Sequence, residues 1–168
     1  MKIFLLGMMG SGKSYWKQQL AKLLKTGGYD LDTLVEFHEE KTIAEIFEQD
    51  GEAYFRKKEA ELLRWFKEKK HFVVATGGGT PCFHDNMQYM NQEGITIWLN
   101  EPIDVLVKRL LPEKEHRPLI KNISDEALAD FLQQKLLERQ PWYSLALETI
   151  SGDDINLKTF KKIMAKHA

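Results

Sequence analysis

The stretch Gly7-Met8-Met9-Gly10-Ser11-Gly12-Lys13-Ser14 limits what this chain can fold into more than any other. It satisfies G-x-x-x-x-G-K-[ST]. An unbroken apolar run, Ile3 to Leu6, precedes it, and a stripe of apolar residues at helical spacing, Trp16, Leu20, Leu23 and Leu24, follows. Strand, glycine loop and helix in that order make a phosphate-binding loop. Its glycines let the backbone turn successive N–H groups onto phosphate oxygens, and the helix adds the partial positive charge of its N-terminus. Lys13 can reach the β- and γ-phosphates, and the Ser14 hydroxyl can ligate Mg²⁺. Gly10, Ser11, Gly12 and Tyr15 complete the expected nucleotide contacts. The loop calls for a nucleoside triphosphate and leaves its use open.

Two further apolar runs, Phe72 to Ala75 and Ile95 to Leu99, suit strands of a parallel sheet covered on both faces. Helical patterns lie between them. Gly27-Gly28 is expected to stop the first helix. Thr42 to Lys70 reads as a long helical region broken near Asp50-Gly51. Asn100 is the expected N-cap ahead of Pro102, and Ser124 caps a helix carrying Leu128, Phe131, Leu132 and Leu136. The alternation predicts a three-layer α/β fold with a parallel sheet, and 168 residues fit one domain. Thr42 to Lys70 exceeds what one crossover needs and reads as an inserted substrate-binding helical pair. Leu111 to Ile123 is polar, holds two prolines and has no period, which suits a mobile lid.

A formal net charge of −1 provides no global basic field for nucleic acid or an anionic membrane. Cys82 is the single cysteine, which excludes an intramolecular disulfide and fits a reducing cytoplasm. The histidines lack zinc spacing. The strand ending Val74-Ala75-Thr76 carries no acidic residue for Mg²⁺, and no Asn-Lys-x-Asp is present to select guanine. The chain is also short for a motor or transporter ATPase. By elimination, a small-molecule kinase is expected.

Candidate acceptor residues follow from chemistry. If Asp30-Leu31-Asp32 is extended, both carboxylates face one side of the second strand's end, beside the loop. One could complete the Mg²⁺ shell through water while the other holds or deprotonates the attacking hydroxyl. A turn-and-cap role is the competing reading. Arg56 and Glu59 lie three apart on one helical face, as a site or as a solvated ion pair. Gly77-Gly78-Gly79, between Thr76 and Thr80, suggest close approach of backbone to a ligand, with a flexible loop as the alternative. Cys82 reads as a bystander thiol. Arg109, Arg117 and Arg139 are single basic residues, surface arginines unless gathered into a site.

Taken in order, GMMGSGKS, DLD, TIAEIFEQDGEAYFRKKE, TGGG, HRPLI and LERQPWY resemble the shikimate kinase family over nearly the whole chain. The spacing of Asp32, Arg56 and Glu59 is more specific than the loop. The resemblance implies a nucleoside-monophosphate-kinase-like fold with five parallel strands. It implies a substrate-binding region at about residues 31–60 and a lid at about 111–124. It also implies transfer of the γ-phosphate of ATP to the 3-hydroxyl of shikimate, a step toward chorismate, by a cytoplasmic monomer. By the same resemblance Asp32 binds the ring hydroxyls, including the reacting one, and Asp30 holds Mg²⁺ through water. Arg56 and Arg139 clamp the shikimate carboxylate, and Glu59 orients Arg56. Gly77, Gly78 and Gly79 contact substrate through the backbone. Arg117 meets the γ-phosphate from the lid, and Arg109 lies near the adenine.

Three places depart from the family's pattern. Tyr15 and Lys17 stand where it usually has Thr and Gly, and Glu39-Glu40 replace a frequent Thr-Gly. Gluconate kinase, which shares loop and size, is the alternative enzyme. A catalytically silent nucleotide-binding domain is the alternative from another class, though both the loop lysine and the acceptor Asp are retained.

Overall fold

A computed structural model describes residues 1–168. Five parallel strands form one sheet: β1 (Lys2–Leu6), β2 (Gly27–Asp30), β3 (Phe72–Ala75), β4 (Ile95–Asn100) and β5 (Glu148–Ser151), in the order β2-β3-β1-β4-β5. The helices are α1 (Lys13–Leu24), α2 (Leu31–Glu39), α3 (Ile43–Gln49), α4 (Glu52–Arg64), α5 (Asn86–Glu93), α6 (Ile103–Leu110), α7 (Leu128–Tyr143) and α8 (Leu157–Lys166). The expected three-layer α/β architecture is the one observed.

The layers follow from the period of two in β1. Ile3 and Leu5 point to one face, where they pack with Val73, Ile97 and Leu99 against Leu20 and Ala21 of α1 and Phe160, Ile163 and Met164 of α8. Phe4 and Leu6 point to the other, into a larger core with Val74, Trp98 and apolar residues of α2 through α7. All four residues are fully buried, which is why the run carries no polar residue.

Parallel pairing brings the carboxyl ends of the strands to one edge. Leu5 and Asp30 both pair in register with Ala75, and Leu6 pairs with Trp98. The phosphate-binding loop leaves β1 there, α2 leaves β2, the glycine triplet leaves β3 and Glu101 leaves β4. The chain moves to one side of β1 for β2 and β3 and to the other for β4 and β5. That arrangement opens a ligand crevice at the strand ends.

Local structure departs from the sequence expectations in several places. Asp30 and Asp32 do not share an extended segment: Asp30 ends β2, and Asp32 lies in the first turn of α2. The helix forms because Leu31 and Val35, four apart, are both buried in the larger core. Gly27-Gly28 begin β2 and do not stop α1, which ends at Lys25 with φ 51°. Leu23 is exposed and the buried stripe of α1 runs through Lys17, Leu20 and Ala21. Asn100 is the last residue of β4, and Pro102 takes the N-cap of α6. The Ser124 hydroxyl accepts from the Ala127 N–H, 3.2 Å away, and so caps the turn that leads into α7.

The break at Asp50-Gly51 is real: α3 and α4 meet there, with α3 opened by a Thr42–Glu45 capping box. Glu40, in the place of the family's glycine, closes α2 in the left-handed region at φ 54°. Residues 111–116 form a 3₁₀ helix followed by turns, and the segment is pinned by the fully buried Ile120. No helix is long and apolar enough to cross a membrane.

Candidate active site

The crevice is a cleft of about 1790 Å³, more than one small ligand needs, and the loop residues and the acid-and-arginine set line it together. On the loop side Gly10 and Gly12 hold φ of 79° and 92°, conformations that glycine supplies without strain. Lys13 Nζ donates to the carbonyls of Gly7 and Met8, at 2.7 and 2.9 Å, so the ammonium is tethered to its own loop. Burial lowers its pKa to about 8, with Asp32 opposing the shift. The Ser11 hydroxyl is buried and has no hydrogen-bond partner in the protein. Arg109 lies over the loop, donating to the Gly10 carbonyl at 3.0 Å and pairing with the buried Glu101 at 2.8 Å. Tyr15 is 58% exposed on the rim, edge-on to Trp16.

Ser14 Oγ donates to Asp30 Oδ1 at 2.6 Å, and the Lys17 ammonium pairs with Asp30 Oδ2. A hydroxyl and a carboxylate beside the loop are the hard oxygen donors that Mg²⁺ takes in small number, the remainder coming from phosphate and water. No group of three or more His, Cys, Asp or Glu is placed to build an all-protein cage. The residues therefore fit Mg²⁺ carried with a nucleotide.

Across the cleft, Glu59 is fully buried. Its Oε1 accepts from Arg56 Nη1 at 3.0 Å, and its Oε2 accepts from the Thr80 hydroxyl at 2.7 Å. Arg56 is held further by stacking over Phe83, 4.4 Å from the ring centroid. This pair is not the solvated helix-surface pair that spacing alone allows. Arg139, half-buried on α7, has no carboxylate partner; its guanidinium donates to Met8 Sδ at 3.7 Å. A cation without a counter-ion in a cleft is a seat for an anion. Burial raises the pKa of Asp32 above its ordinary value, although Lys13 and Arg56 pull it down. Burial raises Glu59 too, against Arg56 and Thr80.

The glycine triplet explains how these groups come so close. A Cβ on Gly77 would lie 2.7 Å from Asp32 Oδ1 and 3.2 Å from Glu59 Oε2. One on Gly78 would lie 2.6 Å from Arg139 Nη1, and one on Gly79 would lie 2.5 Å from Arg56 Nη2. Each glycine therefore clears the space of one charged side chain or pair, and a flexible loop is not what the triplet supplies. Burial pushes the Cys82 thiol up to about 11.

Arg117 lines the cleft from the 111–124 segment but is paired to Glu113 at 2.7 Å. Of the sequence candidates it is the one turned to a neighbour on its own segment, whereas Asp32, Arg56, Glu59 and Arg139 converge on the glycines.

Four contributors escaped the sequence reading: Glu101, Thr80, Phe83 and Tyr143. Two had a signal, Thr80 as the residue closing the glycine triplet and Tyr143 as the end of LERQPWY. The buried Tyr143 hydroxyl donates to the Gly78 carbonyl at 2.5 Å, and burial pushes its pKa up. Tyr143→Phe leaves that carbonyl unpaired and is expected to destabilise the protein by about 1–2 kcal/mol in urea unfolding. An unchanged urea midpoint would mean that this bond contributes nothing.

Known proteins share this fold and much of this sequence. The family model described as shikimate kinase matches residues 9–167. Shikimate kinase of Phocaeicola vulgatus is 41% identical over 157 residues, 94% of this chain and 90% of that protein. The crystal structure of shikimate kinase from Bacteroides thetaiotaomicron superimposes with a TM-score of 0.86 at 36% identity, covering 99% of this chain and 96% of that one. Shikimate kinase from Acinetobacter baumannii in complex with shikimate gives 0.87 at 32% identity, covering 98% and 93%.

Proposed function

This chain belongs to the shikimate kinase family, and from that premise we propose how its cleft divides between donor and acceptor. The protein is an ATP-dependent kinase that transfers the γ-phosphate of ATP to the 3-hydroxyl of shikimate, giving shikimate 3-phosphate and ADP. The observation that carries the residue assignment is the glycine triplet, with Asp32, Glu59, Arg139 and Arg56 each seated against a missing Cβ.

On the donor side the N–H groups of Gly10 to Ser14 receive the phosphates, and Lys13 exchanges its loop carbonyls for phosphate oxygens. The unpartnered Ser11 hydroxyl suits a site completed by its ligand. Ser14, and Asp30 through water, would hold Mg²⁺, which neutralises phosphate oxygens when bound. Arg109, braced by Glu101, and Tyr15 border the base.

On the acceptor side Arg139 and the Glu59-braced Arg56 take the shikimate carboxylate as a planar, bidentate pair. Asp32 receives the reacting hydroxyl. As the new O–P bond forms and the bond to the β-phosphate oxygen breaks, the hydroxyl proton passes to Asp32 and then to solvent. A raised pKa makes Asp32 a better acceptor for that proton. Lid closure would release Arg117 from Glu113 onto the transferring phosphate. Residues 31–60 form the acceptor wall and 111–124 the lid of one kinase domain. The enzyme acts as a monomer in the cytoplasm, without nucleic acid; the near-neutral charge supports the last point and the single cysteine the compartment.

Coupled ADP release is expected with shikimate and Mg²⁺ and not with gluconate. Turnover of gluconate without turnover of shikimate would overturn the acceptor assignment.

A further inference from the structure

Lys17 is the feature that the mechanism leaves unused. It departs from the family's glycine, and only 10% of its side chain is exposed. Its ammonium pairs with Asp30 Oδ2 while Ser14 occupies Oδ1, so both oxygens of the metal-side carboxylate are held by α1. The stem is seated as firmly as the head. It crosses Gly28 of β2, where a Cβ would come within 3.3 Å of Lys17 Cγ and 2.9 Å of Ala21 Cβ. The bare Gly28 backbone admits the long side chain that a glycine on α1 would not have required.

We propose that Lys17 is a built-in counter-ion of the metal side of the site, a positioning residue that holds Asp30 and loosens the dependence of nucleotide binding on Mg²⁺. The inference rests on the reading of Asp30 as the metal-side carboxylate. An ionised carboxylate beside a phosphate-binding loop repels phosphates unless a cation stands between them. Lys17 supplies a fixed positive charge at that carboxylate before any metal binds, and at short range inside a protein such a charge acts strongly. Withdrawing the metal therefore uncovers little repulsion. The charges facing Asp30 are Lys17 and Lys13 of α1 and Asp32 of α2, and only Lys17 is in direct contact with it.

The test is calorimetric titration of ADP into the protein with Mg²⁺ and with EDTA. In the unaltered protein the two dissociation constants should differ by only a few-fold. Lys17→Met keeps the stem on Gly28 and removes the charge. It is expected to widen the ratio about tenfold, with the loss in the EDTA arm. Lys17→Arg should restore the narrow ratio, which a purely structural role would not predict. In an Asp30→Asn background Lys17→Met should leave the ratio unchanged, because the charge being screened is gone. The same ratio in Lys17→Met as in the unaltered protein would overturn the proposal, as would a widening that persists in the Asp30→Asn background. If Asp30→Asn alone moves neither constant, the reading of Asp30 fails and takes this inference with it. Should Lys17→Met not fold, Lys17→Gln provides the same comparison.

Discussion

Asp32→Asn is expected to lower kcat by about a thousandfold while the KM for shikimate changes far less. Asparagine keeps an oxygen for the hydroxyl to meet but cannot take its proton, and general-base assistance contributes about 10²–10⁴ in rate. The same substitution should raise the melting temperature at neutral pH. The Asp32 pKa is raised in the folded protein, so between the unfolded value of 3.8 and the folded value the native state binds the extra proton. Stability therefore falls as pH climbs through that window, and the loss persists above it. Asparagine has no charge to bury and escapes the loss. In the unaltered enzyme kcat/KM should fall on acidification through a midpoint above the ordinary carboxylate range, as the base becomes protonated. Loss of turnover together with gained thermal stability is a pairing that misfolding cannot imitate. A variant with unchanged kcat would remove Asp32 from the chemistry.

The second large effect is expected at Arg139. Its guanidinium has no carboxylate partner in the protein, so Arg139→Met deletes a charge that only a ligand can satisfy. Truncating one member of a buried charge pair costs about 2–5 kcal/mol, which corresponds to a fall in kcat/KM for shikimate of roughly thirtyfold to several thousandfold. ADP affinity should change far less, since Arg139 meets the loop only through the Met8 side chain. Arg139→Lys should recover only part of the loss, because an ammonium cannot present two parallel N–H groups to a carboxylate. Folding stability should not fall, in contrast to the usual result of removing a half-buried arginine. An unaltered shikimate KM would place the carboxylate elsewhere.

How much of this could be read from the sequence depended on whether the cause was local. The phosphate-binding loop was legible because its glycines, lysine and serine are consecutive and their geometry is that of the backbone. The three central strands were legible because, buried on both faces, they are almost entirely apolar, as Ile3 to Leu6 illustrate. Asp30 and Asp32 were found as residues but misplaced in shape. Two acids at spacing two suit a strand, whereas burial of Leu31 and Val35 under the larger core draws Asp32 into a helix. Arg56 and Glu59 by themselves are indistinguishable from a surface pair. Thr80 and Phe83, which settle the matter, lie some twenty residues away and meet them only in the fold. Gly28 was read as a helix stop because its partner, the Lys17 stem, is a tertiary neighbour. β5 carries one buried residue of four, Ile150, and so offered no apolar run to recognise.

The two faces of the sheet bear on how the reaction is gauged. The helix that presents Lys13 and Ser14 is rooted in the smaller apolar layer, with α8 behind it. The helices that present Asp32, Arg56 and Arg139 are rooted in the larger one. The strands are the common chassis on which both are mounted. The two sides of the cleft are thus joined through the hydrogen-bonded sheet. Loosening the smaller face would slacken α1 alone among these helices, whereas the larger face also bears Met8 of the phosphate-binding loop and so reaches both sides of the cleft.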